Sequence, residues 1–130
     1  MKKNDTKIEE VKAFLDSLQS RMRFLNGIVN YELRDKNIDF LTAMEWRSSD
    51  RDKWLMQLDP EDFYEGPYPN TDPFGDDVWV FGKLIQGQLC YIKIYFLKSP
   101  NIYCISFHFA EFDMTFPLSG ITIKKTYGNK

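Results

Sequence analysis

Residues 89–109 read LCYIKIYFLKSPNIYCISFHF. On both sides of Lys98-Ser99-Pro100-Asn101 the residues alternate with a period of two and are rich in β-branched and aromatic types. That is the signature of a β-hairpin closed by a four-residue loop. Counting outward sets Leu97 opposite Ile102, then gives the pairs Phe96–Tyr103, Tyr95–Cys104, Ile94–Ile105, Lys93–Ser106, Ile92–Phe107, Tyr91–His108 and Cys90–Phe109. Opposed residues share a sheet face. One face then carries Cys90, Ile92, Ile94, Phe96, Tyr103, Ile105, Phe107 and Phe109 and reads as core. The other gathers Tyr91, Lys93, Ser106 and His108 towards one end. A one-residue slip would scramble the two sets, so the pattern itself supports the register. Cys90 and Cys104 fall on opposite faces, which predicts two free thiols.

Working outward, VWVFGKLI (78–85) is a further strand, linked to the hairpin by Gln86-Gly87. MTFPL (114–118) and ITIKKTY (121–127) supply short extended pieces. Upstream, the period changes. In TKIEEVKAFLDSLQSRMRFL, Ile8, Val11, Phe14, Leu15, Leu18 and Met22 recur at spacings of three and four, which predicts an amphipathic helix. GIVNYEL (27–33) is a short extended piece. NIDFLTAMEW (37–46) predicts a second helix with Asn37 as a candidate cap, and SSDRDKWLMQLDPEDFY (48–64) a third, which Pro60 ends or follows with a new turn. EGPYPNTDPFGDD (65–77), with three prolines and two glycines, has neither period and predicts a loop. The expected class is α+β in one domain over 1–130: mainly helical over 1–64, a loop over 65–77, and an antiparallel sheet over 78–125 with helices packed on one face.

Composition narrows the function classes. Hydrophobic residues make up 43% and aromatic residues 16%, which suits a packed core rather than a disordered chain. No apolar run approaches the roughly 20 residues of a membrane span. MKKNDTKIEE has no apolar stretch behind its lysines, which predicts no secretory signal. With two cysteines, this favours a reducing, cytoplasmic setting. The net charge of −2 conceals a division: residues 1–77 carry 11 Lys+Arg and 17 Asp+Glu, and residues 78–130 carry 6 Lys and 2 acids. The basic half suits an anionic ligand. The acids of 65–77 would be drawn to that half and cover it.

His108, the only histidine, lies out of phase with the aromatics beside it. An imidazole exchanges a proton near neutral pH. Lysines such as Lys93 and Lys83 stabilise an anionic transition state, and tyrosines such as Tyr91 and Tyr95 donate hydrogen bonds or stack on bases. A polar, solvent-facing strand with no function is the plain alternative. One histidine and two distant cysteines do not make a zinc site. No Gly-rich phosphate loop and no GxSxG motif occurs.

The segments LDPEDFYEGP (58–67), VWVFGK (78–83), YIK (91–93) and CISFHFAE (104–111), in that order and spacing, resemble the C-terminal portion of MqsR-family toxins of bacterial type II toxin–antitoxin systems. The resemblance covers roughly residues 58–118. It implies a RelE-like, microbial-ribonuclease-like fold and a metal-independent, cofactor-free endoribonuclease that cleaves mRNA. It also implies a cognate antitoxin as partner, with no membrane association and a free state that is monomer or dimer. Tyr91 matches a tyrosine assigned to the family's active site. His108 stands where the best-studied branch has lysine. Glu65 replaces a lysine of that branch, and Val80 a glutamine. The chemistry so implied is attack of the substrate's 2′-hydroxyl on the adjacent phosphate. His108 would serve as acid or base and Tyr91 would hold the phosphate; outside the family motif, the residues themselves suggest Lys93 and Lys83 on the phosphorane and Tyr95 and Ser106 binding substrate. A non-catalytic RNA-binding or protein-interaction module of the same fold is the alternative.

Overall fold

The computed structural model describes residues 3–127. In chain order the elements are α1 (Lys3–Arg23), β1 (Val29–Tyr31), α2 (Asp35–Met44), α3 (Asp52–Leu55), β2 (Phe63–Tyr68), β3 (Val78–Ile85), β4 (Gln88–Phe96), β5 (Ile102–Phe109), β6 (Met114–Thr115) and β7 (Thr122–Ile123). Short 3₁₀ turns at Ser48–Arg51 and Pro60–Asp62 flank α3. Five strands form one sheet in the order β1-β5-β4-β3-β2, and β6 pairs only with β7. All neighbours in the large sheet are antiparallel except β1, which runs parallel to β5. The class is α+β.

The helices cover one face of the sheet. Val11, Phe14, Leu15 and Leu18 of α1 are buried, while Ile8 lies exposed at the end of the predicted stripe. Phe14 stacks between Trp79 of β3, at 4.7 Å, and Phe96 of β4, at 4.5 Å. Phe40 of α2 packs on Phe107 and Phe109 of β5. Aromatic pairs of this kind each add about 0.5–1.5 kcal/mol beyond their burial. The β3–β4 turn is the two residues Gln86 and Gly87, both at positive φ, as a hairpin with primed-turn geometry requires.

Three expectations need correction. The first is the third helix, which is only a 3₁₀ turn and the four residues of α3. Phe63–Tyr68 is instead the edge strand β2. Its Gly66 and Pro67 read as loop, but an edge strand with register shifts tolerates both. The segment 65–77 therefore begins as strand. The second is α2, which starts at Asp35, so Asn37 is buried inside its first turn rather than capping it. The third is the hairpin register. Cys90–Phe109, Tyr91–His108, Ile92–Phe107 and Lys93–Ser106 pair as counted, but beyond them Ile94 faces Cys104, Tyr95 faces Tyr103 and Phe96 faces Ile102. Ile105 is an extra residue in β5, a bulge. It turns Cys104 into the helix-covered core and Tyr103 out of it. Both cysteines are free and buried. They are four residues apart along the ladder rather than on opposite faces.

Candidate functional site

The second sheet face positions the candidate residues. At one end it is apolar: Leu89, Ala110, Met114 and Phe116 form a small cluster of their own. Gly82 makes room for this packing. A Cβ there would come within 2.7 Å of the Met114 side chain and 2.9 Å of Phe116. Beyond that cluster the face turns polar. Gly82, Tyr91 and His108 form one row across β3, β4 and β5, and Val80, Lys93 and Ser106 form the next. Glu65 of β2 pairs with Val80 and extends the second row. Glu65 and Val80 are thus direct neighbours, in the row of Lys93.

Tyr91 and His108 are stacked, with ring centroids 5.4 Å apart and planes 21° apart. His108 is on the polar face as expected, but it is buried, 6% exposed. Its Nδ1 lies 2.9 Å from the carbonyl oxygen of Phe109. A carbonyl only accepts, so Nδ1 carries the hydrogen and the neutral ring keeps its lone pair on Nε2. Burial pushes the imidazole pKa below its ordinary value, outweighing the Phe109 carbonyl and Glu111, while Lys36 and Arg34 push the same way as burial. At neutral pH this histidine is a proton acceptor, not a cation. Tyr91 is shifted the other way: burial, then Glu65 and Tyr64, hold its hydroxyl above the usual phenol range, against Arg34. It is a donor at neutral pH.

Cations frame this pair. Lys93 is half-buried between Val80 and Ser106, and its ammonium makes no hydrogen bond or ion pair among the described residues. Arg34, at the start of α2, donates from Nη1 to Ser106 Oγ at 3.2 Å and pairs with Glu32 through Nε at 3.3 Å. Ser106 is fully buried, so it positions Arg34 instead of meeting a ligand itself. Lys36 and Glu111 form an exposed pair at 2.9 Å beside His108.

Lys83 is not in this group. It pairs with Cys90, on the helix-covered face, and its ammonium bonds Asp62 at 3.0 Å. The two-residue β3–β4 turn sets that parity. Tyr95 is on the polar face but only 5% exposed, and its hydroxyl donates to Asp72 at 2.9 Å. Burial and the Asp72 carboxylate push it up to about 12. The half-buried aromatic beside it is Tyr103, which the bulge brings round. Arg34 is a cation of this face that sequence reading missed: it lies in an irregular link between β1 and α2 with no period to mark it. Among the described residues no group of three or more His, Cys, Asp or Glu could hold a metal ion, and no helix is long and apolar enough to cross a membrane.

No family model, no curated protein and no solved structure matches the chain.

Proposed function

We propose that this face is the active site of a metal-independent endoribonuclease acting on single-stranded RNA. The fold would be the RelE-like ribonuclease type, and the chain an MqsR-like toxin held inactive by an antitoxin. The observation that carries the reading is the pairing of a neutral, Nδ1-anchored His108 with protonated Tyr91, beside the unpaired ammonium of Lys93. Cleavage through the 2′-hydroxyl needs a base, an acid and positive charge at the phosphate. His108 Nε2 takes the 2′-hydroxyl proton. The freed oxygen attacks the adjacent phosphorus, and the bond to the 5′-oxygen breaks as Tyr91 supplies its proton. Lys93 and Arg34 stabilise the charge of the phosphorane between these steps. The products are a 2′,3′-cyclic phosphate and a 5′-hydroxyl. Lys83 has no part in this scheme because it lies on the other face of the sheet.

The test is incubation of purified protein with unstructured RNA in chelator, followed by end-group analysis of the fragments. Cyclic phosphate ends formed by the wild type and not by His108→Ala support the reading. RNA bound but uncut at wild-type sites would reduce the protein to a binding module.

A further inference from the structure

An open groove of about 830 Å³ lies at the loop end of β4 and β5, on the same sheet face as Tyr91 and His108. Tyr95 and Tyr103 lie side by side in it, centroids 5.3 Å apart. One wall is the segment after β2, with Asp72 and the exposed ring of Phe74, and the other is Glu32 and Arg34. On the basis of the ribonuclease reading above, we propose that this groove is a base-binding subsite for unpaired RNA, with a nucleobase stacked on Tyr103 while the phosphate beside it rests on Lys93 and Arg34.

Charge and shape support this division of labour. The groove is not a phosphate site: Glu32 and Asp72 bring two carboxylates into it, and like charge repels a phosphodiester. The same carboxylates serve an uncharged base, because ring and amino N–H groups are donors. Each also fixes an aromatic. Tyr103 donates to Glu32 Oε1 at 3.1 Å and Tyr95 to Asp72 Oδ2 at 2.9 Å. Asp72 itself is held by the backbone N–H of Phe74 at 2.9 Å, so the wall that carries the Phe74 ring is braced against the tyrosines. Rigid aromatic surface is what single-stranded RNA recognition uses, since every base has a π-face. The Tyr95–Tyr103 row of the groove is the next row on this face after Lys93–Ser106. Tyr95 is two residues from Lys93 on one strand and one face, about 7 Å away, and Arg34 lines the groove while bonding Ser106.

The experiment uses a short 2′-O-methyl oligonucleotide, which cannot be cut, and an abasic oligophosphate of equal length, both followed by fluorescence anisotropy. Tyr103→Leu and Phe74→Ser are compared with wild type, after circular dichroism has shown that each is folded. Loss of one base–aromatic stack weakens binding roughly 5- to 100-fold. The expected result is that loss for the base-bearing probe and none for the abasic one. Equal binding of the base-bearing probe by wild type and both variants overturns the subsite, as does no binding by the wild type. Cleavage of ordinary RNA by the wild type is scored separately. Tyr103-dependent binding without cleavage keeps the groove and removes the ribonuclease, whereas cleavage indifferent to Tyr103 does the reverse.

Discussion

The carboxamide of Asn37 occupies the ladder position opposite Ser106. Its Nδ2 donates to the carbonyl of Ile105 at 3.0 Å, and its Oδ1 accepts from the N–H of Phe107 at 3.0 Å. Those are the two bonds that a residue of a parallel neighbour strand would make. β1 pairs with β5 only as far as Tyr31–Cys104, and the chain then leaves for α2. Asn37 reaches back from that helix and completes the edge beside the Ile105 bulge. A second Nδ2 contact, to Glu32 O at 2.9 Å, ties the link that carries Arg34.

Asn37→Ala should therefore destabilise the protein and lower activity together. Each buried backbone group left without a partner costs about 1–3 kcal/mol, and the change takes the partner from three, the Ile105 and Glu32 carbonyls and the Phe107 N–H. Urea unfolding should show a loss of about 2–4 kcal/mol, within the range of buried-network mutations. A loss near zero would show that β5 keeps its shape without the amide.

His108→Ala tests the base. Because the ring is buried rather than solvent-facing, the substitution should cost about 1–3 kcal/mol, more than a surface change. The protein should still fold. Single-turnover cleavage should fall roughly 10²- to 10⁴-fold, the usual contribution of a general base. A variant that cleaves at wild-type rate would transfer the proton-acceptor role elsewhere.

The lowered pKa of His108 sets the pH dependence. In the unfolded chain the imidazole titrates near 6.5, and burial puts the folded value below that. Between the two values the unfolded state binds more protons, so stability rises with pH there. The contribution is complete above about 6.5 and is lost as pH falls through the folded value. Activity should follow the same limb, since only neutral His108 accepts a proton. Its half-point should be on the acid side of 6.5, and His108→Gln should remove the slope from the stability profile. An activity limb centred above 7 would contradict the burial.

Much of this was legible in the sequence, and the failures are physical ones. The period-two alternation of residues 78–109 gives three strands and the Tyr91–His108 and Lys93–Ser106 pairs, because a buried face specifies register strongly. The Ile105 bulge has no local signal: the amide that bonds on either side of Ser106 comes from Asn37, 68 residues from Ile105 and 70 from Phe107. Counting from the loop therefore misplaced Cys104 and Tyr103. β2 was hidden by Gly66 and Pro67, which read as turn residues unless the strand is known to be an edge. Burial of His108 was hidden too, since strand parity names a face but not what covers it.

Lys93 and Lys83 belong to neighbouring strands and were candidates for one role, so substituting each separates site from scaffold. Lys83 and Asp62 are both 17% exposed in their side chains and bond at 3.0 Å. Burial raises the Asp62 carboxyl, while Asp59 N–H and Lys83 act against it. Lys83→Met should strand a desolvated carboxylate and cost about 1–3 kcal/mol, with cleavage by the remaining folded protein unchanged. Lys93 has no partner among the described residues, so Lys93→Met sacrifices no internal bond and should leave unfolding within about 0.5 kcal/mol of wild type. It should nevertheless slow cleavage roughly 10²-fold or more by removing charge from the phosphorane, and flatten the salt dependence of RNA binding. Parallel urea titrations and single-turnover assays on the two variants decide the matter. The opposite pattern, a stable but inactive Lys83→Met beside an active Lys93→Met, would move the reaction to the helix-covered side and refute the site.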